Sequence, residues 1–277
     1  MPSLPKYNVT PDSNRDTTSL YINDKYSINP DFDITAGIRY DNYSDFGDAL
    51  SPTLAFVYRI NPKWRIKSLY SQAYRVPSWV ELTSNPNLKA ETSNSYEAGV
   101  IYKDRKSSIV RFNIYRTEIY NLIIKNTPYT QALDDSHFFG AELEYLFTPS
   151  QDLDLTLFAS YVEATDENDE DLADVANELL TLSGIYELDY GLTLGGLVKY
   201  IGSSKRSTTD ISETRGSMSS SLITDTTLSY AFKNLTASLI IKDLFDKGTY
   251  YALPTSTLNN DFYDGGRTIL VKASWEF

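Results

Sequence analysis

Polar and apolar residues alternate one for one along much of this chain, most cleanly in short segments bounded by turn-forming residues. In residues 268–277, Ile269, Val271, Ala273, Trp275 and Phe277 share one face. Thr268, Leu270, Lys272, Ser274 and Glu276 share the other, and all of these but Leu270 suit water. Residues 153–162 set Leu153, Leu155, Leu157, Ala159 and Tyr161 against Asp154, Thr156, Phe158 and Ser160. Residues 139–147 set Phe139, Ala141, Leu143, Tyr145 and Phe147 against Glu142 and Glu144. Successive side chains on a strand point to opposite faces, so each segment predicts a strand with one apolar and one wet side.

The connections between such segments alternate in length. Short ones are predicted at residues 29–32, 61–63, 103–106, 148–151, 188–191 and 232–235. Long ones are predicted at residues 41–50, 75–91, 118–135, 163–177, 202–221 and 244–266. Outer-membrane β-barrels have this asymmetry, with short periplasmic turns and longer extracellular loops, whereas a soluble sandwich has no reason to keep it. The fold expected is therefore all-β, an antiparallel transmembrane barrel wall of about 13 strands. Single-chain bacterial barrels close with an even number of strands, so the odd count predicts an incomplete wall. Residues 1–17, with Pro2, Pro5 and Pro11, are expected to be the remnant of an extracellular loop, and residues 18–277 the C-terminal portion of the barrel. Tyr40, Tyr58, Tyr70, Tyr102, Tyr161 and Tyr200 fall near segment ends, where interfacial aromatic girdles sit.

Composition fits this reading. The chain holds 22 Tyr, 12 Phe and 3 Trp against 2 Met, yet its mean hydropathy is only −0.34. No run approaches the roughly 18 apolar residues of a spanning helix, while barrel strands leave a weak hydropathy trace. Cysteine is absent, which removes disulfides and thiolate metal sites. Residues 1–10 lack the apolar stretch of a secretory signal, so for an exported protein the natural N-terminus is expected upstream. A net charge of −12 argues against a nucleic-acid partner. One histidine, no cysteine and no Gly-x-Ser-x-Gly element leave catalytic templates nearly empty, so no enzyme, catalytic group or cofactor is expected. No metal set is expected either. The acidic run at residues 166–174 (DENDEDLAD) lacks the glycine turn and terminal glutamate of a calcium loop and reads as solvated loop.

Residues 71–99 read SQAYRVPSWVELTSNPNLKAETSNSYEAG. Turn chemistry alone accounts for much of this. Pro77 ends the strand begun at Trp64, Asn85-Pro86-Asn87 turns the chain, and Glu91 with Thr92 restarts the ladder. The segment also resembles TonB-dependent receptors, in which an aromatic-Arg-x-Pro-Ser element is followed by Asn-Pro-Asn-Leu-Lys-x-Glu and then Tyr-Glu-x-Gly. Residues 243–250 (DLFDKGTY) resemble the same family's Asn-Leu-Phe-Asp-Lys-x-Tyr element, and Gly265-Gly266-Arg267 leads into a last strand that ends on Phe277.

That resemblance implies a barrel of roughly 22 strands with a separate N-terminal plug, of which the plug and roughly nine strands have no counterpart here. It implies TonB-dependent uptake of an iron chelate. The partners it implies are outer-membrane lipid, the chelate itself, the TonB energy-coupling protein acting through the absent plug, and barrel assembly machinery reading Phe277. Haem-type members carry a histidine between the Arg-x-Pro-Ser and Asn-Pro-Asn-Leu elements. None lies between Ser78 and Asn85, which favours a siderophore-like ligand over haem. The sole histidine, His137, lies where the 118–135 loop enters the next strand and is open to ligand, metal or pH-sensing readings, or to none. Loop arginines and aromatics suit an anionic chelate. By position the candidates are Arg75, Trp79, Tyr120, Tyr129, Phe138, Arg206, Arg215, Tyr250 and Tyr251, with His137 beside them. A passive outer-membrane pore or structural barrel is the alternative.

Overall fold

The computed structural model describes residues 14–104, 107–124, 128–132, 135–166, 168–206, 215–252 and 261–276. Thirteen strands form one antiparallel sheet in which nearly every strand pairs with its sequence neighbour. The first six are β1 (Thr17–Asn29), β2 (Phe32–Tyr43), β3 (Gly47–Arg59), β4 (Trp64–Arg75), β5 (Glu91–Lys103) and β6 (Ser108–Tyr120). A short helix, α1 (Trp79–Ser84), lies between β4 and β5. After β6 a small hairpin of β7 (Ile123–Ile124) and β8 (Thr130–Gln131) stands outside the sheet. The wall resumes with β9 (Ser136–Ser150), β10 (Leu153–Asp166), β11 (Glu178–Glu187), β12 (Leu192–Ile201), β13 (Ser221–Phe232) and β14 (Leu235–Lys242). A second small hairpin, β15 (Tyr250–Tyr251) with β16 (Phe262–Tyr263), precedes the last wall strand, β17 (Thr268–Trp275). Phe277 lies outside the described residues.

The two faces of this wall follow from its registers. One row of cross-strand partners runs Phe32, Tyr58, Ile66, Val100, Phe112, Leu143, Ala159, Leu180, Tyr200, Leu222, and every member is apolar or tyrosine. A neighbouring row on the opposite face runs Asp33, Val57, Lys67, Gly99, Asn113, Glu142, Ser160. The apolar sets predicted at residues 139–147, 153–162 and 268–277 fall on the first face as far as they are described, up to Trp275 in the last of them. The first row starts at the short-turn end of β2 and arrives near the loop end of β13, so the strands are slanted across the row, as the wall of a barrel requires.

Among the described residues, nothing packs on the apolar face. Ile22 is 67 %, Leu182 50 % and Val271 83 % exposed, and the buried apolar side chains among the described residues are Pro77, Leu88, Ala164 and Met218. A water-soluble sheet would bury such a face, so the outward solvent has to be hydrocarbon. Aromatics mark its limits. Near the short turns, Phe32 lies against Phe56 and Tyr58, Trp64 against Tyr102, Tyr145 against Phe147 and Tyr230 against Phe232. Toward the loops, Tyr70 meets Tyr96 at 5.2 Å. From Phe139 to Phe147 the strand advances about 27 Å. A tilt of about 40° reduces this to about 21 Å of membrane depth, close to the height of a barrel's apolar band.

The opposite face carries charges matched in pairs: Lys25 with Asp33 at 2.9 Å, Lys67 with Glu97 at 2.5 Å, and Arg111 with Glu144. Ser229 and Ser238 share a hydrogen bond of 2.8 Å there. Tyr115 lies across Gly140 on this face, where any side chain at Gly140 would run into the tyrosine ring. Short turns are fixed by side chains: Asn29 Oδ1 accepts from Asp31 N at 2.9 Å, and Asn61 Oδ1 accepts from Lys63 N at 2.9 Å and Trp64 N at 3.1 Å.

One predicted loop is corrected. Residues 41–50 do not form a long connection: β2 and β3 pair out to Tyr43 and Gly47. Asp41, the first residue of that expected loop, sits in the ladder with its carboxylate fully enclosed. It accepts from the Arg39 guanidinium at 2.6 and 2.9 Å, from Tyr74 Oη at 2.5 Å and from Ser19 Oγ.

The sheet is open, with β1 and β17 each paired along one side only. Its two-faced character gives a direct test. Leu182→Arg, near mid-depth on the apolar face, should destabilise the protein in lipid by about 2–4 kcal/mol, and Ser183→Arg on the opposite face should cost little. Denaturant titration in vesicles measures both, and equal costs would contradict the assignment of faces.

Candidate ligand-capture surface at the long-loop end

The candidate side chains fall into three groups at the end of the wall that carries the long loops. The first is a loop bundle around α1. Pro77 is fully buried and β4 stops at Arg75. Ser78 then caps the helix reciprocally: its Oγ accepts from Glu81 N at 3.4 Å, and Glu81 Oε2 accepts from Ser78 N at 2.6 Å. Arg75 donates to Glu81 at 3.0 Å and to Glu91, whose other oxygen accepts from Ile123 N at 2.7 Å. Asn85 Nδ2 donates to the Tyr129 carbonyl at 2.9 Å, and Tyr129 N donates to Ser84 Oγ at 2.9 Å. Gln131 bridges the carbonyls of Lys89 and Asn121. From the other side, Arg15 donates to Asp45 and, at 2.8 Å, to the Pro77 carbonyl while lying over the Tyr43 ring.

Arg75, Trp79 and Tyr129 are thus placed together, in a scaffold. Arg75 is held by two carboxylates, Tyr129 acts here through its backbone, and Trp79 is the half-buried first residue of α1. Burial opposes ionisation of Glu81, but its bonds from Arg75 and Ser78 outweigh it and hold the carboxyl below its ordinary range. The Arg15 guanidinium likewise holds Asp45 low against the opposing effect of burial.

The second group lies at the loop ends of β6 and β9. Tyr120 Oη donates to Glu118 at 2.7 Å, and Glu118 also receives Arg116 at 2.8 Å. His137 is the register partner of Glu118 and Thr165, and its Nδ1 is buried without a hydrogen bond among the described residues. Phe138, the next residue, faces the other way, opposite Thr117 and Ala164. Alternation therefore separates His137 from Phe138, and the two do not serve one contact. No group of three or more histidine or acidic side chains able to hold a metal occurs among the described residues.

The third group is the most open. Arg206 donates to Asp261 through two nitrogens at 2.7 and 2.6 Å and to the Gly216 carbonyl at 2.6 Å, and Arg215 reaches the same carboxylate at 2.9 Å. Tyr250 and Tyr251 lie on β15 against Tyr263 and Phe262, with ring centroids 5.0 and 6.5 Å apart, and both remain more than half exposed. Beside them opens a cavity of about 530 Å³, within the range of small-molecule sites. Its lining adds Phe245, Lys247 and the serines around Met218, none of them among the candidates expected from the sequence. Phe245 and Lys247 were within the motif at residues 243–250, but nothing in their spacing marks them as facing a cavity. In the acidic segment, Asp166 Oδ1 accepts from the backbone of Asn168 and Glu170, which is loop chemistry.

Residues 2–244 match the family described as TonB dependent receptor-like, beta-barrel. Two curated proteins share part of the chain. The iron-regulated outer membrane virulence protein of Vibrio cholerae is 21 % identical over 174 residues, covering 52 % of this chain and 27 % of that protein. The ferric enterobactin receptor PirA of Pseudomonas aeruginosa is 24 % identical over 139 residues, covering 42 % of this chain and 19 % of that protein. The chain thus spans less than a third of the length of these relatives. Among solved structures, the ferric-catecholate import receptor Fiu of E. coli K12 superposes with a TM-score of 0.80 at 18 % identity, over 95 % of this chain and 45 % of Fiu.

The loop bundle makes a pH prediction. Both carboxyls titrate below their ordinary range, so their contribution is complete above about pH 5 and is lost as pH falls through the lowered values. Limited proteolysis within residues 76–90 should accelerate on acidification, and Arg75→Gln should be cleaved faster already at neutral pH. Cleavage unaffected by either change would show that the bundle is held by other contacts.

Proposed function

The chain belongs to the TonB-dependent receptor β-barrel family, and from that premise we propose that it forms part of the wall of an outer-membrane receptor for energised uptake of a ferric siderophore-like chelate. The localisation is the outer membrane of a Gram-negative cell, as for the relatives. The observation that carries the proposal is the two-faced wall: a continuous apolar band turned outward and a face of paired charges turned inward, topped by loop clusters rich in arginine and aromatic residues. Proteins named for ferric enterobactin and ferric catecholates among the relatives support the ligand class. The absence of histidine between Ser78 and Asn85 supports a chelate other than haem.

The open edges belong to the same proposal. Unpaired N–H and C=O groups in hydrocarbon cost several kcal/mol each, so β1 and β17 require partners in the bilayer. We infer that further strands of the same barrel supply them, and that a plug within the completed barrel couples it to TonB. Phe277 stays a proposed recognition point for the assembly machinery. Sealing by a plug separates this reading from a passive pore, whose lumen would conduct at rest.

Cells lacking this protein should lose growth on, and radioiron uptake from, at least one ferric siderophore under iron limitation, and a protonophore should abolish that uptake in wild-type cells. Large resting conductance in planar bilayers together with unchanged iron uptake in the deletion strain would instead establish a passive pore.

A further inference from the structure

We propose that the strand completing the free edge of β1 carries an arginine or lysine directly across from Asp24 or one diagonal step away, and that this ion pair fixes the register of the junction. This rests on the receptor reading above, in which further strands of the same barrel pair with β1, and adds the chemistry and the direction of the adjoining strand.

Asp24 lies on the apolar face of β1 between Ile22 and Tyr26, opposite Ala36 of β2. Its neighbours Asn23 and Lys25 face the other way, and Lys25 is held by Asp33 at 2.9 Å. Asp24 stands five residues before the short-turn end of β1 at Asn29. That is about 17 Å along the strand. At a tilt of about 40° it becomes about 13 Å of depth, roughly half the height of the apolar band. The other acidic and basic residues on the outward face of the described strands, Asp48, Arg116, Glu118, Glu163 and Glu178, all lie toward the loop ends of their strands. Asp24 alone among them sits at mid-depth.

Ionisable groups at membrane depth are costly and pair with a partner. β2 offers Asp24 none: Ala36 is opposite, and Ile34 and Ile38 are the diagonal neighbours. Elsewhere in this wall charges are matched across adjoining strands. Arg111 is directly opposite Glu144, while Lys25 with Asp33 and Lys67 with Glu97 are one diagonal step apart. The same geometry brings the partner of Asp24 from the free edge. A hydroxyl or amide there would bond one oxygen and leave the charge in hydrocarbon, whereas a guanidinium or ammonium neutralises it. The direction of the strand follows from topology. β1 descends from the loop end to the short-turn end, and so does β17, at the far side of an antiparallel sheet of thirteen strands. Neither β17 nor β1 of a second copy in the same membrane orientation can therefore continue the antiparallel ladder. An ascending strand outside the described residues is required.

Two measurements on the intact protein in outer-membrane vesicles test this. Photoactivated p-benzoylphenylalanine in place of Ile22 or Tyr26, which leaves Asp24 in position, should capture a strand of the same barrel, identified by mass spectrometry. That strand should carry an arginine or lysine on its outward face within about four residues of the captured one. In denaturant titration, Asp24→Leu should lower the folding equilibrium constant about ten-fold or more, because it strands the cation, and Asp24→Glu should stay within about three-fold. Replacing the captured strand's cation by leucine as well should restore Asp24→Leu to within about three-fold. Heat-modifiable gel mobility establishes that each variant is folded. Unchanged or increased stability with Asp24→Leu overturns the inference, as does capture of lipid alone, of a separate protein, or of a strand without such a cation. In each of these cases, loss of siderophore uptake in the deletion strain leaves the receptor reading standing. Capture of a cation-bearing strand with uptake unchanged supports the ion pair and overturns the receptor reading.

Discussion

A strand in a bilayer has to satisfy its backbone hydrogen bonds within the sheet while turning only one face to hydrocarbon, and these two demands together fix the register of every strand pair. Side-chain direction repeats every two residues, so a slip of one residue in any ladder would carry Glu142 and Glu144 into lipid and Leu143 and Tyr145 into water. The registers avoid this from β2 to β17; on β1, Asp24 falls on the apolar face between Ile22 and Tyr26. The two irregular steps, between Ser27 and Asn29 and between Leu153 and Leu155, sit beside short turns, where they leave the faces of the remaining ladder unchanged. A row of ten apolar or tyrosine partners from β2 to β13 is the result of that consistency.

The loop-end architecture is built on the same ladders. Where strands run past the aromatic girdle, the outward residues no longer need to be apolar, and polar chemistry appears on both faces: Asp41 with Arg39, Ser19 and Tyr74 inward, and Glu118 with Tyr120 and Arg116 at the end of β6. The loops above are held by backbone-directed bonds from Asn85, Gln131 and Asp243. Capture of a ligand needs groups held in place before it arrives, since each side chain ordered on binding subtracts from affinity. Asp243 fixes the backbone of Lys247 and Gly248 in this way.

The wall was legible in the amino-acid sequence because alternation and turn chemistry are local. Residues 139–147 and 153–162 show their faces without any partner strand, and Pro77 and Glu91 lie within two residues of the true ends of β4 and β5. Asp41 was misplaced because an enclosed carboxylate is explained only by partners brought from three strands. The six-residue α1 was not foreseen, although Ser78 and Glu81 have the spacing of a reciprocal cap. For the candidate residues the sequence shows type but not arrangement. Arg75 and Tyr129 prove to hold a scaffold, Arg206, Arg215 and Tyr250 do converge, and Phe245 and Lys247 emerge only once the turn at Asp243 gives them a direction.

The central claim is that one face of this wall meets lipid and the other water, strand after strand. The chain has no cysteine, so single cysteines at positions 179–186 of β11 can carry a spin label without background. In lipid vesicles, collision rates with oxygen and with a water-soluble nickel chelate should alternate with a period of two. Oxygen should dominate at positions 180, 182, 184 and 186, and nickel at 179, 181, 183 and 185. Nickel accessibility at every position, or oxygen dominance at every position, would contradict it.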